Sequence, residues 1–326
     1  MKIRFGIIGT GFIVDEFMNA IRDFKEVEIV GIYSRKEETG NSFANKYGIK
    51  SIFTNMDDMI SSGMIDAVYI ASPNSFHCSQ SIKFLENKIA VFCEKPLGSN
   101  KKEVKMMIDS SIKNKTLLME AIKTVYMPNY EIIKEQIHTI GEVRSVYANF
   151  CQRSSRYESY KNGIILNAFK KELSNGSTMD IGLYPTYFVY GLFGEPEKIE
   201  AQGYLLSTGV DGAGTMMLKY PEFTAVINHS KVATSNIPSE IIGEKGSIII
   251  EKISTVDKVT FNYNDGTIKE YFCDEKAKMY YEIEEFVRMY KNGKNESEKN
   301  NHIDSLKVVS ILEAARKSIG VVFPCD

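Results

Sequence analysis

The stretch KIRFGIIGTGFIVDEF at residues 2–17 decides the fold of this chain. Its apolar run IRFGII leads into Gly9 and Gly11, and apolar residues then recur at helical spacing through Phe17 and Ala20. An apolar run followed by glycines and an amphipathic segment predicts a strand, a tight turn and a helix. The chain therefore opens with a β-α unit whose turn is a candidate phosphate-binding loop.

The same alternation of strands and helices continues to about residue 122. Strands are predicted at 3–8, 27–33, 51–54, 66–72, 89–95 and 116–121. Helices are predicted after the first turn and at 36–48, 75–87 and 101–114. Strict β-α alternation with continuous apolar strands indicates a doubly wound parallel sheet in an α/β fold. Residues 1–122 are therefore predicted to form a dinucleotide-binding domain.

The pattern changes after this point. One more helix is predicted at about 128–138, and stretches of alternating apolar and polar residues follow at 142–152, 197–205, 213–220, 223–230 and 246–252. Alternation with period two predicts a mainly antiparallel sheet with one packed face. We therefore expect a second α/β domain over residues 123–326, with a large open sheet. A last helix at about 305–318 is expected, and it can pack back on the first domain.

Composition and charge narrow the choice of partners. The 326 residues include 40 basic and 42 acidic ones, a net charge of −2, which offers no electrostatic footprint for nucleic acid or an anionic membrane. No apolar run approaches the roughly 20 residues that span a bilayer. The five cysteines form no Cys-x-x-Cys or Cys/His cluster, so no disulfide framework and no metal site is predicted. The N-terminus leaves no room for an export signal, and we expect a cytoplasmic protein with a small-molecule substrate.

The turn after the first strand reads GTGFIV. Glycines there let the backbone turn tightly and approach a pyrophosphate, whose charge is stabilised by the N-terminus of the following helix. The predicted cofactor-binding residues are Gly9, Thr10, Gly11, Phe12 and Ile13. The alternative is an ordinary glycine-rich turn, but its position between the first strand and a helix favours the cofactor loop.

Ser34 and Arg35 follow the second strand. Enzymes selective for NAD usually present an acid here to the ribose 2′-hydroxyl, and an acid would repel the 2′-phosphate of NADP. A hydroxyl and a guanidinium can bind that phosphate instead, so NADP is favoured over NAD. The alternative is a polar helix start in which Ser34 is the N-cap and Arg35 lies on the surface.

Polar residues also follow the fourth and fifth strands, in ASPNSFH at 71–77 and VFCEKPLG at 91–98. In a doubly wound sheet, ligands bind beyond the carboxyl ends of the strands. The residues predicted to meet the cofactor are Ser72, Pro73, Asn74, His77, Glu94 and Lys95. The alternatives are a Ser-Pro-Asn turn with a histidine in a first helical turn, and a strand that ends at the surface in a solvated Glu-Lys pair.

The stretch NGSTMDIGLYP at 175–185 contains Asp180, Gly182 and Tyr184. On a helix, residues four apart share a face, and a glycine between them allows close approach of another segment. Tyr184 and Lys95 would make a plausible acid–base pair, because a nearby ammonium favours the phenolate. The alternative for Tyr184 is a packed aromatic next to other aromatic residues of the same segment.

The ordered motifs GTGFI, SPNSFH, EKP, MEA and DIGLY resemble the glucose-fructose oxidoreductase, inositol dehydrogenase and rhizopine-catabolism (Gfo/Idh/MocA) family over nearly the whole chain. The resemblance implies a Rossmann domain joined to an α/β domain whose sheet mediates homodimerisation. It also implies hydride transfer between NAD(P) and sugars, polyols or vicinal diols. Lys95 matches the catalytic lysine of the family, and Asp180 and Tyr184 match the polar pair that faces the substrate.

Two departures and two alternative functions remain beside this resemblance. Val14 replaces a small residue, and Ser174-Asn175 stand where a glycine pair often precedes the aspartate motif. With a tyrosine at position 184, the chain resembles dihydrodiol dehydrogenases and glucose-fructose oxidoreductase rather than the relatives that carry a histidine at this position. The alternatives are a nucleotide-sensing regulator without catalysis and a glycosidase that uses its nucleotide transiently. We also predict a cis peptide bond between Lys95 and Pro96.

Overall fold

The computed structural model describes residues 2–274, 276 and 278–326. These described residues form two compact units that do not follow one cut along the chain. Of the described residues, the first unit comprises 2–98, 102–121, 276 and 278–305, and the second comprises 99–101, 122–274 and 306–326.

A parallel sheet forms the first unit. Its strands are β1 Ile3–Ile8, β2 Val27–Tyr33, β3 Ser51–Phe53, β4 Ala67–Ile70, β5 Ala90–Glu94 and β6 Leu118–Ala121. The helices between them are α1 Phe12–Ala20, α2 Glu37–Tyr47, α3 Met56–Ser61, α4 His77–Glu86 and α5 Lys101–Asn114. Within the described residues the strand order is β3-β2-β1-β4-β5-β6, the Rossmann order, in which chain direction reverses beside β1 and opens a crevice at the carboxyl ends of β1 and β4.

The second unit is built on a larger, mixed sheet. Its strands are β7 Val143–Cys151, β8 Lys198–Leu205, β9 Asp211–Lys219, β10 Thr224–Ser230, β11 Ser239–Gly243, β12 Gly246–Ile250, β13 Lys258–Tyr263 and β14 Ile268–Phe272. Its order over the described strands is β14-β13-β12-β11-β7-β10-β9-β8. β7 and β10 pair in parallel at the centre, and the neighbouring pairs are antiparallel, as the period-two pattern predicts.

Helices complete the chain after β6. They are α6 Pro128–Gln136, α7 Tyr157–Lys161, α8 Leu183–Phe193, α9 Tyr280–Lys291 and α10 His302–Ser318. α8 is apolar on most of its surface and contacts β7 and β10, so it covers one face of the mixed sheet. Alternation along β9 follows from this packing, since Met216 and Leu218 are buried while Met217 between them is 43% exposed.

Aromatic side chains fill the core of the first unit. Phe17 of α1 stacks on Tyr69 of β4 with ring centroids 3.9 Å apart. Phe286 of α9 lies 5.3 Å from the ring of Phe5 and 5.0 Å from that of Phe92. Buried aromatic rings contribute strongly to a core, so α9 belongs to the first unit although it follows the whole second sheet in sequence.

The predicted fold class is confirmed, and the six strands of the first unit lie where the alternation predicts them. The structure differs from the predicted division at residues 99–101 and 122, which belong to the second unit, and at one longer segment. Residues 276–305, which were assigned to the second domain, pack in the first unit. The helix that returns is α9, because the apolar side of α9 completes the aromatic core, whereas residues 306–318 of α10 stay with the second unit.

None of the helices in the described part of the chain is both long and apolar enough to cross a membrane.

Candidate active site

The loop after β1 has the shape of an anion cradle. Gly9 has a φ of +113°, and a Cβ at this position would lie 2.7 Å from the carbonyl oxygen of Ala71, so only glycine fits. Gly11 is the N-cap of α1, and no described side chain caps that helix end. A Cβ at Gly11 would meet no described atom within 4 Å, so there is open space beside the start of α1. A helix N-terminus of this kind stabilises a phosphate.

The substitution Gly11→Ala distinguishes a role of Gly11 in nucleotide binding from a role in the stability of the fold. Because the φ of Gly11 is ordinary and its surroundings are open, we expect a loss of about 1 kcal/mol or less in stability, the scale of an N-cap change. If this loop binds a pyrophosphate as the sequence predicts, the added methyl group should obstruct it, and NADPH affinity should fall about tenfold or more, the scale of one lost hydrogen bond to a charged group. Thermal melting and NADPH titration measure the two effects. Gly9→Ala is the contrasting variant and should lower the melting temperature.

At the end of β2 the structure distinguishes between the two predicted phosphate ligands. The Ser34 side chain is buried and donates to the carbonyl oxygen of Lys36 at 2.9 Å, so this hydroxyl is engaged in a local turn. Arg35 and Lys36 are both exposed. The cationic side chains that remain accessible beside the crevice are therefore Arg35 and Lys36, and the sequence analysis did not include Lys36.

The loop after β4 is tied to the loop after β5. His77 is fully buried, and its ring nitrogens lie 2.9 Å from the carbonyl oxygens of Pro96 and Ser72. Burial lowers the pKa of His77, so the ring is neutral near pH 7 and donates through one nitrogen. The hydroxyl of Ser72 donates to Gln80 of α4 at 2.7 Å. The His77 ring thus lies between the backbones of both loops and can donate to only one of these two carbonyl oxygens at a time, and its side chain is buried in the protein.

The end of β5 carries Glu94 and Lys95. The Glu94 carboxylate is buried and accepts a hydrogen bond of 2.6 Å from Tyr69. Burial raises the pKa of Tyr69 well above its usual range, so the phenol stays protonated and donates. Glu120 at the end of β6 accepts from the backbone N–H of Leu97 at 2.9 Å. These two carboxylates lie behind the loop that presents Lys95, and the bond between Lys95 and Pro96 is cis, as predicted.

In the second unit a π-helical turn, Thr178–Gly182, carries Asp180 and leads directly into α8. Turns of this type are rare and occur frequently at functional sites. Gly182 lies against the ring of His229 in β10, since a Cβ on Gly182 would be 3.0 Å from that ring. Burial lowers the pKa of His229, whose Nδ1 lies 2.8 Å from the Ser177 hydroxyl. The close approach predicted for Gly182 is thus made to His229.

Tyr184 lies in the first turn of α8 and is 8% exposed. Its ring meets the ring of Phe150 in β7 edge-on, with centroids 5.4 Å apart. This contact orients the phenol through its ring and does not involve the hydroxyl.

Two charged residues that the sequence analysis missed hold the π-helical turn. Asp211 of β9 is buried and accepts from the backbone N–H and the hydroxyl of Thr178 at 2.7 and 2.8 Å. Lys231, which follows β10, is 2% exposed and lies 2.5 Å from Asp180. Neither residue belongs to a local motif, because 33 and 51 positions separate them from their partners. The one sequence signal for Lys231 is its position directly after a predicted strand of alternating apolar and polar residues.

The loop before the turn shows how the chain compensates for the missing glycine pair. Ser174 adopts the left-handed conformation, with a φ of 56°, that glycine usually occupies. Asn175 donates from its amide to the carbonyl oxygens of Asn167 and Leu173 at 2.9 and 3.2 Å. The loop therefore keeps a glycine-like backbone at Ser174 and is fastened by Asn175.

The structure brings the predicted cofactor residues of the first unit to one edge of its sheet. Gly9 packs against Ala71 in the loop after β4, and His77 joins that loop to the one after β5. The second unit independently brings together Asp180 and Tyr184 at the start of α8. Among the described residues, no group of three or more His, Cys, Asp or Glu side chains is arranged to hold a metal ion.

A Rossmann unit with a dinucleotide cradle, together with an α/β unit that carries an aspartate and a tyrosine, defines a nicotinamide-dependent oxidoreductase. Residues 3–122 match the oxidoreductase family with an NAD-binding Rossmann fold, and residues 131–249 match the GFO/IDH/MocA C-terminal domain. The chain belongs to the Gfo/Idh/MocA family. It is an oxidoreductase that acts on CH–OH groups with NADP or NAD as its cofactor.

The chain is also similar to individual proteins over nearly its whole length. The chain is 45% identical over 325 residues to scyllo-inositol 2-dehydrogenase (NADP(+)) IolU of Bacillus subtilis (strain 168), covering 99% of both chains. It is 29% identical over 350 residues to trans-1,2-dihydrobenzene-1,2-diol dehydrogenase of Danio rerio, covering 100% of this chain and 99% of that protein. Levoglucosan dehydrogenase, solved with NADH and levoglucosan, has a TM-score of 0.86 at 19% identity, covering 98% of this chain and 97% of that one, which shows the shared fold.

Proposed function

We propose that the protein is an NADP-dependent dehydrogenase of cyclic polyols, with an inositol as its substrate class. The end-to-end similarity to the Bacillus subtilis scyllo-inositol dehydrogenase carries this proposal. The similarity to dihydrodiol dehydrogenases is compatible with it, because both kinds of substrate present neighbouring hydroxyl groups on a six-membered ring. A carboxylate such as Asp180 suits such substrates, since it accepts hydrogen bonds from hydroxyl groups.

The proposed roles follow from the chemistry of each side chain. The amides of the Gly9–Ile13 loop and the cations at Arg35 and Lys36 hold the nucleotide, which supplies or accepts hydride when bound. Lys95 stabilises charge on the reacting oxygen, and Tyr184 exchanges the proton with it. Asp180 accepts from a hydroxyl of the substrate and so orients the ring.

A substrate screen tests this function. Purified protein is incubated with scyllo-inositol, myo-inositol, a trans-dihydrodiol and several aldoses, each with NADP and with NAD, and reduction is followed at the nicotinamide absorbance. We expect the highest kcat/KM with an inositol and NADP. Activity confined to aldoses or to the dihydrodiol would contradict the proposed substrate class. Release of an aglycone from a glycoside without net nucleotide turnover would indicate the glycosidase, and nucleotide binding without any turnover would indicate the regulator.

Arg35→Ala tests the preference for NADP. An exposed guanidinium beside the 2′-phosphate contributes a charge-assisted hydrogen bond of about 1.5–3 kcal/mol, so NADP affinity should fall roughly ten- to a hundred-fold. NAD affinity should change little, because NAD lacks that phosphate. Titration of both nucleotides measures the effect, and Arg22→Ala, an exposed arginine of the same unit, is the matched control. An equal loss of affinity for both nucleotides would contradict the role given to Arg35.

We further propose that the protein is a cytoplasmic homo-oligomer. The mixed sheet exposes large apolar side chains on several strands, and such surfaces commonly associate in water. They include Tyr204, Met217, Ile242, Ile268 and Phe272. The free thiols of all five cysteines, each within the described residues, support a reducing compartment. Sedimentation velocity tests the assembly, and a monomer at micromolar concentration would contradict it.

A further inference from the structure

Lys231 is a buried lysine at the edge of the proposed substrate site. Its backbone is fixed on both sides: its N–H donates to the carbonyl oxygen of Gly212 at 2.8 Å, and its carbonyl oxygen accepts from the N–H of Ser154 at 2.8 Å. Only 2% of the residue is exposed. Lysine is almost never buried to this extent unless its charge is compensated, so the surroundings of the ammonium group explain the position.

The ammonium group of Lys231 has three neighbours in the second unit. It lies 2.5 Å from Oδ2 of Asp180 and 3.4 Å from the carbonyl oxygen of Ala168. It also lies over the ring of Phe169, 5.5 Å from the centroid. The side chain of Asp180 is 34% exposed and that of Lys231 is 3% exposed, so the cation approaches the carboxylate from the protein side. The same ammonium group therefore joins Asp180 to the loop at Ala168 and Phe169.

That loop has a small core of its own. Ala168 and Phe169 are buried with Leu206 and Val210, and Tyr157, Tyr160, Ile165 and Val232 pack against them. Phe169 lies 5.4 Å from the ring of Tyr160, which in turn bonds to the Ser207 hydroxyl at 2.8 Å. Because Lys231 contacts both this packed loop and Asp180, the loop fixes where the ammonium group lies beside the Asp180 carboxylate. The loop itself is the segment between β7 and the π-helical turn.

We infer that Lys231 is the positioning residue of the active site: it holds the Asp180 carboxylate in one orientation for the substrate hydroxyl. This inference rests on the proposed function for the role of Asp180. An opposite charge at hydrogen-bond distance favours the ionised carboxylate, and ionised carboxylates accept hydrogen bonds without competing as donors. Displacement of a substrate-orienting group by about 1 Å can cost a hundred-fold in rate.

A purely structural role predicts a different outcome. Removing one partner of a buried charge pair usually costs stability, but the Asp180 side chain is 34% exposed and can be hydrated when Lys231 is replaced. In that case Lys231→Met would leave turnover by the folded protein unchanged. The two roles are therefore distinguished by kcat rather than by stability.

The experiment compares Lys231→Met and Lys231→Arg with the parent protein, using an inositol and NADP. We expect Lys231→Met to lower kcat about ten- to a hundred-fold with KM changed much less, and the affinity for NADPH to stay the same. Lys231→Arg keeps the charge beside Asp180 and should recover part of the loss. Lys258→Met is the matched control, because Lys258 of β13 pairs with Glu251 and Glu270 in the same unit without contacting Asp180.

Crystal structures of both variants make the test independent of the substrate. In Lys231→Met the Asp180 carboxylate should leave its position, and in Lys231→Arg it should stay within about 0.5 Å, the tolerance of a positioned catalytic group. An unmoved Asp180 in Lys231→Met, or an unchanged kcat, overturns the inference. If the parent protein turns over none of the polyols, the proposed function fails, and the position of Asp180 in the two crystal structures still decides the role of Lys231.

Discussion

Tyr184→Phe is expected to lower turnover about a hundred- to ten-thousand-fold while folding and nucleotide binding are kept, because removal of a positioned proton donor has an effect of this size. The ring of Tyr184 is buried and meets Phe150 edge-on at 5.4 Å, and phenylalanine preserves this packing. Only the hydroxyl is lost. We therefore expect a melting temperature and an NADPH affinity close to those of the parent protein, measured beside kcat with the best polyol found.

Tyr187→Phe is the matched control for this prediction. Tyr187 lies in the same helix, is 1% exposed and is not part of the proposed reaction. If Tyr184→Phe kept nearly full turnover, Tyr184 would not be the proton donor. The role would then pass to Lys95 rather than to His77, because the ring nitrogens of His77 already face two backbone carbonyl groups.

We expect Lys95→Met to abolish most of the turnover for a different reason, since the role proposed for Lys95 is to stabilise charge on the reacting oxygen. Loss of one such electrostatic group commonly costs about a hundred- to a thousand-fold in kcat. Lys95→Arg should not restore activity, because a planar guanidinium fork does not replace a compact ammonium group. The double variant with Tyr184→Phe should lose little more than either single one, since residues that act as a unit are not additive.

Steady-state kinetics of the parent protein, Lys95→Met, Tyr184→Phe and the double variant measures this coupling. Lys102→Met, which changes an exposed lysine of α5, is the control for the loss of one positive charge. Effects of Lys95→Met and Tyr184→Phe that multiply in full would show that the two side chains act in separate steps. Turnover by Lys95→Met near the parent level would remove Lys95 from the reaction.

The strands of the first unit were predictable because each is a continuous apolar run. The run at 3–8 became β1 at Ile3–Ile8, and the run at 27–33 became β2 at Val27–Tyr33. A strand buried on both faces needs apolar residues throughout, and this requirement is visible in the local sequence. α9 was not predicted, although Ile283, Phe286 and Val287 recur at helical spacing. Its place in the first unit could not be predicted from local sequence, because Phe286 packs on Phe5 and Phe92, more than 190 positions away in the chain.

Short local motifs also identified most of the candidate site residues. Motifs of a few residues singled out Lys95, Asp180, Tyr184 and the glycine turn as candidates, because tight turns and helix starts restrict residue types over short distances. Their roles stay predictions. The sequence could not separate Ser34 from Arg35. The structure does, because the Ser34 hydroxyl donates to the carbonyl oxygen of Lys36, whereas Arg35 is exposed.

The amino-acid sequence by itself determined the parallel sheet and the glycine turn after β1, and it singled out the candidate groups for the chemistry, since each depends on neighbouring residues. Tertiary structure alone decided which buried charges hold those groups. Lys231 meets Asp180 across 51 positions, and Asp211 meets Thr178 across 33. A buried charge is stable only beside a group of opposite charge or a hydrogen-bond partner. Here β9 and β10 pair with each other and both contact the π-helical turn, so their residues come within reach of that turn.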